Sequence, residues 1–444
     1  MFQTFRNAWK IDELRKRILY TLLILLIFRL GAAIVVPFID AEVLQASMST
    51  DGTIFGFFDL MTGGSFSNAT LFALGVTPYI NSSIIIQLLQ IVFPSLEALA
   101  REGEEGRKKL TKITRYAAIG IALLLSYIYY IMLKRQGALV YTDGFAGVYT
   151  AFIIVLSFTA GAVLLMWLGE QIDSKGIGNG ISLLIFTGII SGLISALAQI
   201  VTYVKLGLGT YSESYDAVPA YLWLVPIIIL MFAAMFVLIV AVNSAERRIS
   251  VQYAKRVVGR KQYGGQSTNI PIKVNMTGVL PVIFASAFLS VPGTIKDFFG
   301  IDEGFWGTFL GWFKTSGWGY AVLYALLILG FNYFYTAVQY NPMQIANDLR
   351  KNSGTIPGIR PGKPTAEFIA KVVSKITFIG GVFLILVATL PIVITNITAA
   401  ILGGSGINIS LGGTSVLIVV GVALEISNTL ESYMLMRHHK GFLE

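Results

Sequence analysis

Ten times along this chain of 444 residues, a run of about 20 residues passes almost without charge, and about 20 apolar residues is the length of helix that crosses the hydrocarbon of a bilayer. The runs lie near 18–38, 71–93, 113–133, 149–169, 180–203, 219–242, 275–292, 318–340, 376–396 and 413–435. With 55% hydrophobic and 13% charged residues, the sequence is too apolar for a soluble two-domain protein. The pattern predicts an all-α integral membrane protein with ten transmembrane helices. The opening segment FQTFRNAWKIDELRKR is basic and amphipathic and carries no short apolar stretch ending in a cleavage site, so the first span is expected to be retained.

If the spans alternate from a cytoplasmic N-terminus, most of the 33 Lys and Arg fall on the cytoplasmic side, the bias that sets orientation. Both termini are then cytoplasmic. Basic residues concentrate in two long cytoplasmic loops, about 243–274 and 341–375, and loops of that length in compact proteins are usually functional or disordered. In the first loop, RRISVQYAKR alternates Ile249, Val251 and Tyr253 with Ser250 and Gln252, as a strand does. In the second, Pro357, Pro361 and Pro364 alternate with Gly354, Gly358 and Gly362, which stiffen and turn the chain. Attraction to anionic lipid accounts for the sign of the charge, but this ordered chemistry favours a docking surface for a large cytosolic partner. The chain divides at about residue 205, with five spans in 1–205 and five in 206–444. An odd number per half puts the halves in opposite orientations, as in inverted repeats; span counting alone carries this expectation.

Few kinds of chemistry fit the composition. There is no cysteine, and the only histidines, His438 and His439, are neighbours near the C-terminus, so no metal site, thiol nucleophile or cofactor is expected. No nucleophile and base or paired carboxylates stand within the spans, which makes an enzyme the weakest reading. GIGNG at 176–180 reads as a tight turn because its spacing is wrong for a phosphate loop. Arg29 in the first span and Glu425 in the tenth are costly there, and they support an alternative, a secondary transporter with inverted repeats.

The second span, LFALGVTPYINSSIIIQLLQ, mixes aliphatic and polar residues on one side. On a helical wheel Val76, Ile80 and Ile84 drift slowly around a face that Ser83, Gln87 and Gln90 adjoin. Such a face looks toward other helices or water, and hydroxyl and amide bonds between helices are the plainer use of it. Just before it, GTIFGFFDLMTGGSFSNAT is too short and too rich in glycine to span. Its aromatics, tethered by Gly63 and Gly64, suit either a segment folded back into a cavity or one lying on the outer leaflet.

Six blocks occur in order: ALGVTPYINSSIIIQLL, LLMWLGEQIDSKGIGNGISLLIF, RRISVQYAKR, QSTNIPIKVNMTGVLPVIFA, NPMQIANDLRKNSGTIPGIRPGKPT and GGTSVLIVV. From about residue 10 to the C-terminus the chain resembles the SecY family, the protein-conducting channels of the bacterial Sec translocase. The resemblance implies a central hourglass pore between two inverted five-helix halves. Its waist would be sealed by a ring of Val76, Ile80, Ile84, Ile181, Ile185, Val279, Ile283 and Ile418. A re-entrant plug at about 54–68 would include Phe55, Phe57, Phe58, Leu60, Met61, Gly63, Gly64 and Ser65. Gln87 and Asn275 would sit at a lateral gate, and Arg247, Arg248, Lys255, Arg256 and Arg360 would dock partners. The implied function is passage of unfolded secretory polypeptides across the cytoplasmic membrane of a bacterium, with release of membrane segments sideways into lipid. The channel would be passive, energised by the SecA motor ATPase or a ribosome. Its other implied partners are the membrane subunits SecE and SecG, anionic lipid and polypeptides that bear signal sequences.

Overall fold

The computed structural model describes residues 2–47, 59, 62–209, 218–253, 256–258, 261–263, 267–299, 304, 309, 317–402, 407 and 412–440. Each of the ten apolar runs contains a helix. Numbered with the shorter elements, the helices are α1 (Phe2–Trp9), α2 (Asp12–Gly31), α3 (Ala41–Ser47), α4 (Thr77–Val92), α5 (Pro94–Arg101), α6 (Glu104–Arg135), α7 (Gly144–Lys175), α8 (Gly180–Leu208), α9 (Ala220–Ser244), α10 (Leu280–Phe299), α11 (Trp318–Gln339), α12 (Pro342–Lys351), α13 (Lys363–Leu402) and α14 (Gly413–Lys440).

Among the described residues, seven helices are long and apolar enough on their own to cross a membrane, and α4 with α5 makes an eighth. That pair bends by 104° at Phe93, where the chain turns extended before Pro94. A proline disfavours helical backbone in the residue before it, which explains the break. The expected first span falls short on charge, because Asp12, Glu13, Arg15, Lys16 and Arg17 fill the opening turns of α2. The expected seventh falls on α10, a 20-residue helix that begins at Leu280 and not at 275.

Two of the boundaries that differ from the sequence reading bear on particular residues. The first helix ends at Gly31, seven residues before the expected limit of 38, and Arg29 therefore stands in its last turn rather than at mid-span. There the carbonyl end of the helix dipole favours a cation. The second helix begins at Thr77, and residues 71–76 form turns instead. Gly75 has φ +56, a left-handed conformation that ends any helix before it, and Pro78 suits the first turn of the helix that follows.

The chain forms two compact units. One comprises Met1–Val201, Asn408–Leu411 and Val422–Glu444, and the other Thr202–Ile407 and Gly412–Gly421. In the first, hydroxyls tie the helices together. Ser82 of α4 donates to the Thr114 carbonyl of α6 at 2.8 Å, and Ser126 of α6 shares a hydrogen bond with Thr159 of α7 at 3.0 Å. Arg115 of α6 pairs with Glu170 of α7. Around these bonds Phe66, Tyr129, Leu133, Ile154 and Phe158 form a buried aromatic and aliphatic core.

In the second unit the two basic loops fold into one body. Strand β1 (Glu246–Tyr253) pairs antiparallel with β4 (Ser267–Lys273), while β2 (Arg256–Val258) and β3 (Lys261–Tyr263) pair with each other between them. The alternation seen in the sequence holds: Ile249 and Val251 are buried, Ser250 and Gln252 exposed. The other edge of β1 takes β5 (Gly354–Thr355) from the second loop, giving the order β4-β1-β5. Gly354 packs closely there: a Cβ on it would lie 3.0 Å from the Tyr253 ring. Beneath this sheet, Ile369, Val373 and Ile376 of α13 join Ile249, Val251, Ile272 and Leu349 in a buried cluster. At 1.5 Å per residue the 40-residue α13 is about 60 Å long, roughly twice the hydrocarbon thickness, so a single helix runs from a membrane span into the sheet.

Asn332, 3% exposed on α11, is the polar hub of the second unit. It accepts from the Thr277 hydroxyl at 2.6 Å and donates to the Thr377 carbonyl of α13 at 2.7 Å. Asn332→Leu removes both bonds and strands the buried Thr277 hydroxyl, which should cost about 1–2 kcal/mol given the modest worth of such bonds between membrane helices. Thermal unfolding of the purified protein in detergent measures the loss, and an unchanged midpoint would show that Asn332 is not the hub.

Candidate functional site

In the first unit the aliphatic residues stand at regular helical steps. Val76 caps the N-terminus of α4, and Ile80 and Ile84 follow at four-residue intervals on the same face. Val76 is buried, and Ile80 and Ile84 are half-buried. Ile181 and Ile185 stand one turn apart at the start of α8. The glycine turn before them serves packing: a Cβ on Gly180 would lie 2.0 Å from the Gly169 carbonyl oxygen, and Gly178 has φ +78. Asn179 caps α8, its Oδ1 accepting from the Ser182 amide at 3.1 Å, which gives this amide a local structural use.

The stretch that joins the first two spans is pinned tightly. Val35 pairs with Thr70, and the Leu71 amide donates to the Ile34 carbonyl at 2.8 Å. Phe72 stacks on Phe28, and the Tyr129 hydroxyl donates to the Phe66 carbonyl at 2.6 Å. Asp59 folds over the Gly63–Gly64 turn. Its carboxylate accepts from the Ser67 amide at 2.7 Å and its carbonyl from the Gly64 amide at 2.9 Å. Burial pushes the Asp59 carboxyl above its usual range, and the bonds from Ser67 and Phe66 oppose that rise. Of the expected plug residues, Gly63 and Gly64 form this turn and Ser65 is fully buried beyond it. Phe55, Phe57, Phe58, Leu60 and Met61 lie outside the described residues.

In the second unit Val279 and Ile283 come at the start of α10, and the Ile283 amide donates to the Val279 carbonyl. A Cβ on Gly421 of α14 would lie 3.8 Å from the Val279 side chain, which brings that helix close just after Ile418, itself 4% exposed. The linker before α10 is held by side chains. Asn275 donates to Asn243 Oδ1 at 2.9 Å, while its own Oδ1 is buried without a hydrogen-bond partner. Gln87, in the other unit, donates to Ser83 of its own helix at 3.4 Å.

The basic residues of the sheet are presented outward. Arg247 and Arg248 are exposed on β1, and Arg248 pairs with Glu246 at 2.7 Å. Arg360 is exposed in the turn before α13, and its carbonyl accepts from Thr365. Arg256 belongs to β2, and Lys255 lies outside the described residues. Sequence reasoning missed the strand β5 that fuses the two loops, and a two-residue strand leaves no periodic signal to find. It also missed Asn243, Asn332 and the contacts around Gly63, since single residues gain such roles only from what packs against them.

A sequence profile of the SecY family matches residues 70–427. The protein translocase subunit SecY of Thermotoga maritima is 41% identical over an alignment covering 100% of this chain and 98% of that protein. The subunit of Bacillus subtilis is also 41% identical, with full coverage of both chains. Among solved structures, a protein-conducting channel matches with a TM-score of 0.61 at 18% identity, covering 94% of this chain and 92% of its own. Sec61 in the canine ribosome–channel complex from the endoplasmic reticulum matches with a TM-score of 0.55 at 17% identity, over 94% and 92% of the two chains. The full-length likeness to the bacterial subunits, on a fold shared with these channels, shows that the chain belongs to the SecY family.

Proposed function

We propose that this chain is a protein-conducting channel that moves unfolded secretory polypeptides across the cytoplasmic membrane of a bacterium and releases membrane segments sideways into lipid. The observation that carries the reading is identity along the whole chain with subunits named as protein translocases. The aliphatic steps on α4, α8, α10 and α14 supply the lining: Val76, Ile80, Ile84, Ile181, Ile185, Val279, Ile283 and Ile418 form the constriction. Such a wall offers a passing chain no hydrogen bond to hold it, and a narrow apolar neck excludes water and ions by dewetting. Two inverted halves, 1–205 and 206–444, clasp the path, with both termini cytoplasmic. Gln87 and Asn275 stand at the seam that opens toward lipid. The unpaired Asn275 oxygen supports this role, because a buried acceptor without a donor is costly and an arriving donor relieves it. Arg29 lies in the last turn of α2, which weakens one of the two charges, Arg29 and Glu425, on which the transporter reading leaned.

The channel is a passive conduit driven by the SecA ATPase or a translating ribosome. Support for a ribosome comes from the fold shared with Sec61 in the canine ribosome–channel complex and with the yeast Ssh1 complex bound to the yeast 80S ribosome. The fused sheet of the two basic loops, with Arg247, Arg248, Lys255, Arg256 and Arg360, is the docking face. SecE and SecG complete the assembly in the membrane, and anionic lipid meets the cytoplasmic lysines and arginines.

Reconstituted with SecE and SecA, the protein should carry a secretory precursor into vesicles only when ATP is supplied. Uptake of a small solute by the protein alone, with no precursor entry, would overturn the channel reading. Replacing Ile80, Ile185, Ile283 and Ile418 together with Ser should wet the constriction and raise resting ion conductance in planar bilayers severalfold. An unchanged leak in the folded variant removes these residues from the seal. Arg360→Glu should slow SecA-driven transport by roughly tenfold, equal to about 1.4 kcal/mol of docking energy, while membrane insertion stays intact. Normal transport by this variant would mean that the turn does not dock the motor.

A further inference from the structure

Near the start of α9 and the end of α13, both in the second unit, the two helices leave a groove of about 360 Å³ between them. Leu224, Ile228 and Ile394 are buried at its floor, while Ile227, Leu386 and Ile397 are exposed along its rim. Thr389 and Thr398 also border it, but their hydroxyls donate to the Ile385 and Ile394 carbonyls of α13 at 2.8 Å each. The lining therefore asks for no polar partner. Each wall carries an internal proline, Pro226 in α9 and Pro391 in α13, and a proline deprives the carbonyl four residues back of its donor. On α13 that carbonyl belongs to Val387, and it lies against α14, where a Cβ on Gly413 would stand 1.9 Å from it. Val387 is thus taken up by packing and does not line the groove.

We propose that the groove between α9 and α13 is a binding site for one acyl chain of a membrane phospholipid. Both walls are helices long and apolar enough to cross a membrane, so the medium at the rim is hydrocarbon. The dimensions fit. At 1.5 Å per residue the lining extends about 10 Å along α9, from Leu224 to Met231, and about 18 Å along α13, from Leu386 to Thr398. Half of a hydrocarbon layer ~30 Å thick is about 15 Å. The groove thus runs from near the helix ends to about the middle of the bilayer, the reach of a single chain. Two turns of a helix about 10 Å across would fill roughly 800 Å³, which is too much for this space. Water has no polar group there to hold it, and an empty groove would forfeit the contacts of its walls. A bound chain packs α9 against α13 and makes the fit of these two helices depend on lipid. The inference needs only that both helices span the bilayer, and it stands apart from the channel reading.

The test uses the full chain in phosphatidylcholine vesicles whose acyl chains carry bromine, a quencher of fluorescence. The sequence has no cysteine, so one fluorophore can be placed at Ile397→Cys on the rim or at Leu230→Cys, an exposed position of α9 outside the groove. After transfer into unbrominated lipid, quenching at Ile397→Cys should decay at least tenfold more slowly than at Leu230→Cys, because a held chain exchanges more slowly than a passing one. Val393→Phe, which fills the groove, should bring the two rates together. Native mass spectrometry of the unlabelled protein should show one phospholipid that survives washing in detergent and is lost in Val393→Phe. Equal decay rates at the two positions in the otherwise unaltered protein would mean that only ordinary boundary lipid passes there, and the proposal falls. It falls equally if Val393→Phe keeps the slow decay and the bound lipid, or if adding the membrane partner subunits abolishes quenching at Ile397→Cys, which would make the groove a seat for protein.

Discussion

A backbone amide or carbonyl carried into hydrocarbon must find its partner within the protein, because no water is there to supply one. This single demand makes the spans helical and accounts for the care with which the chain is held at two described places where it leaves a helix. The stretch 62–76 departs from helix between the first two spans, and backbone groups in it are met by Ile34, Asp59, Tyr129 and one another. The linker 274–279 departs just before α10. It is held by the Val274 amide on the Ala245 carbonyl, by Asn275 on Asn243 and by Thr277 on Asn332. The irregular segments are in this sense as firmly specified as the helices, by side chains instead of a repeating ladder.

The same hydrogen-bonding economy separates structural from functional polarity on α4. Ser82 is consumed in a bond to α6, so its hydroxyl ties two helices together. Further along, α13 turns a membrane helix into the floor of the sheet, since Ile369, Val373 and Ile376 continue its apolar stripe beyond the bilayer length. Within the second unit the sheet is thereby joined to a membrane span by one continuous helix.

The ten helices and the strand of the first loop were legible in the sequence because both depend on periodicity: uninterrupted apolar length for a span, alternation for Ile249 and Val251. Boundaries were less so. Leu71 to Val76 reads as the beginning of a span by hydrophobicity, yet Gly75 at φ +56 and the pairing of Leu71 with Ile34 make it a set of turns. Hydropathy measures preference for an apolar environment and is blind to which backbone conformation satisfies it. Arg29 shows the same limit, since a span drawn to residue 38 centres a charge that the true helix end at Gly31 places in the last turn.

By itself the sequence determined the class of the protein, its span count and the residue types available to line a path, because those follow from length, charge and apolar period. It also carried, in six ordered blocks, the likeness to the SecY family that extends over the whole chain. Tertiary structure alone decided that β5 joins β1 and so merges two loops 100 residues apart, that Asn243 and Asn332 hold the approach to α10, and that Gly63 lies against Gly188 and Arg29. Each of these is a contact between residues distant in the chain, where distance of closest approach, and no local propensity, chooses the residue.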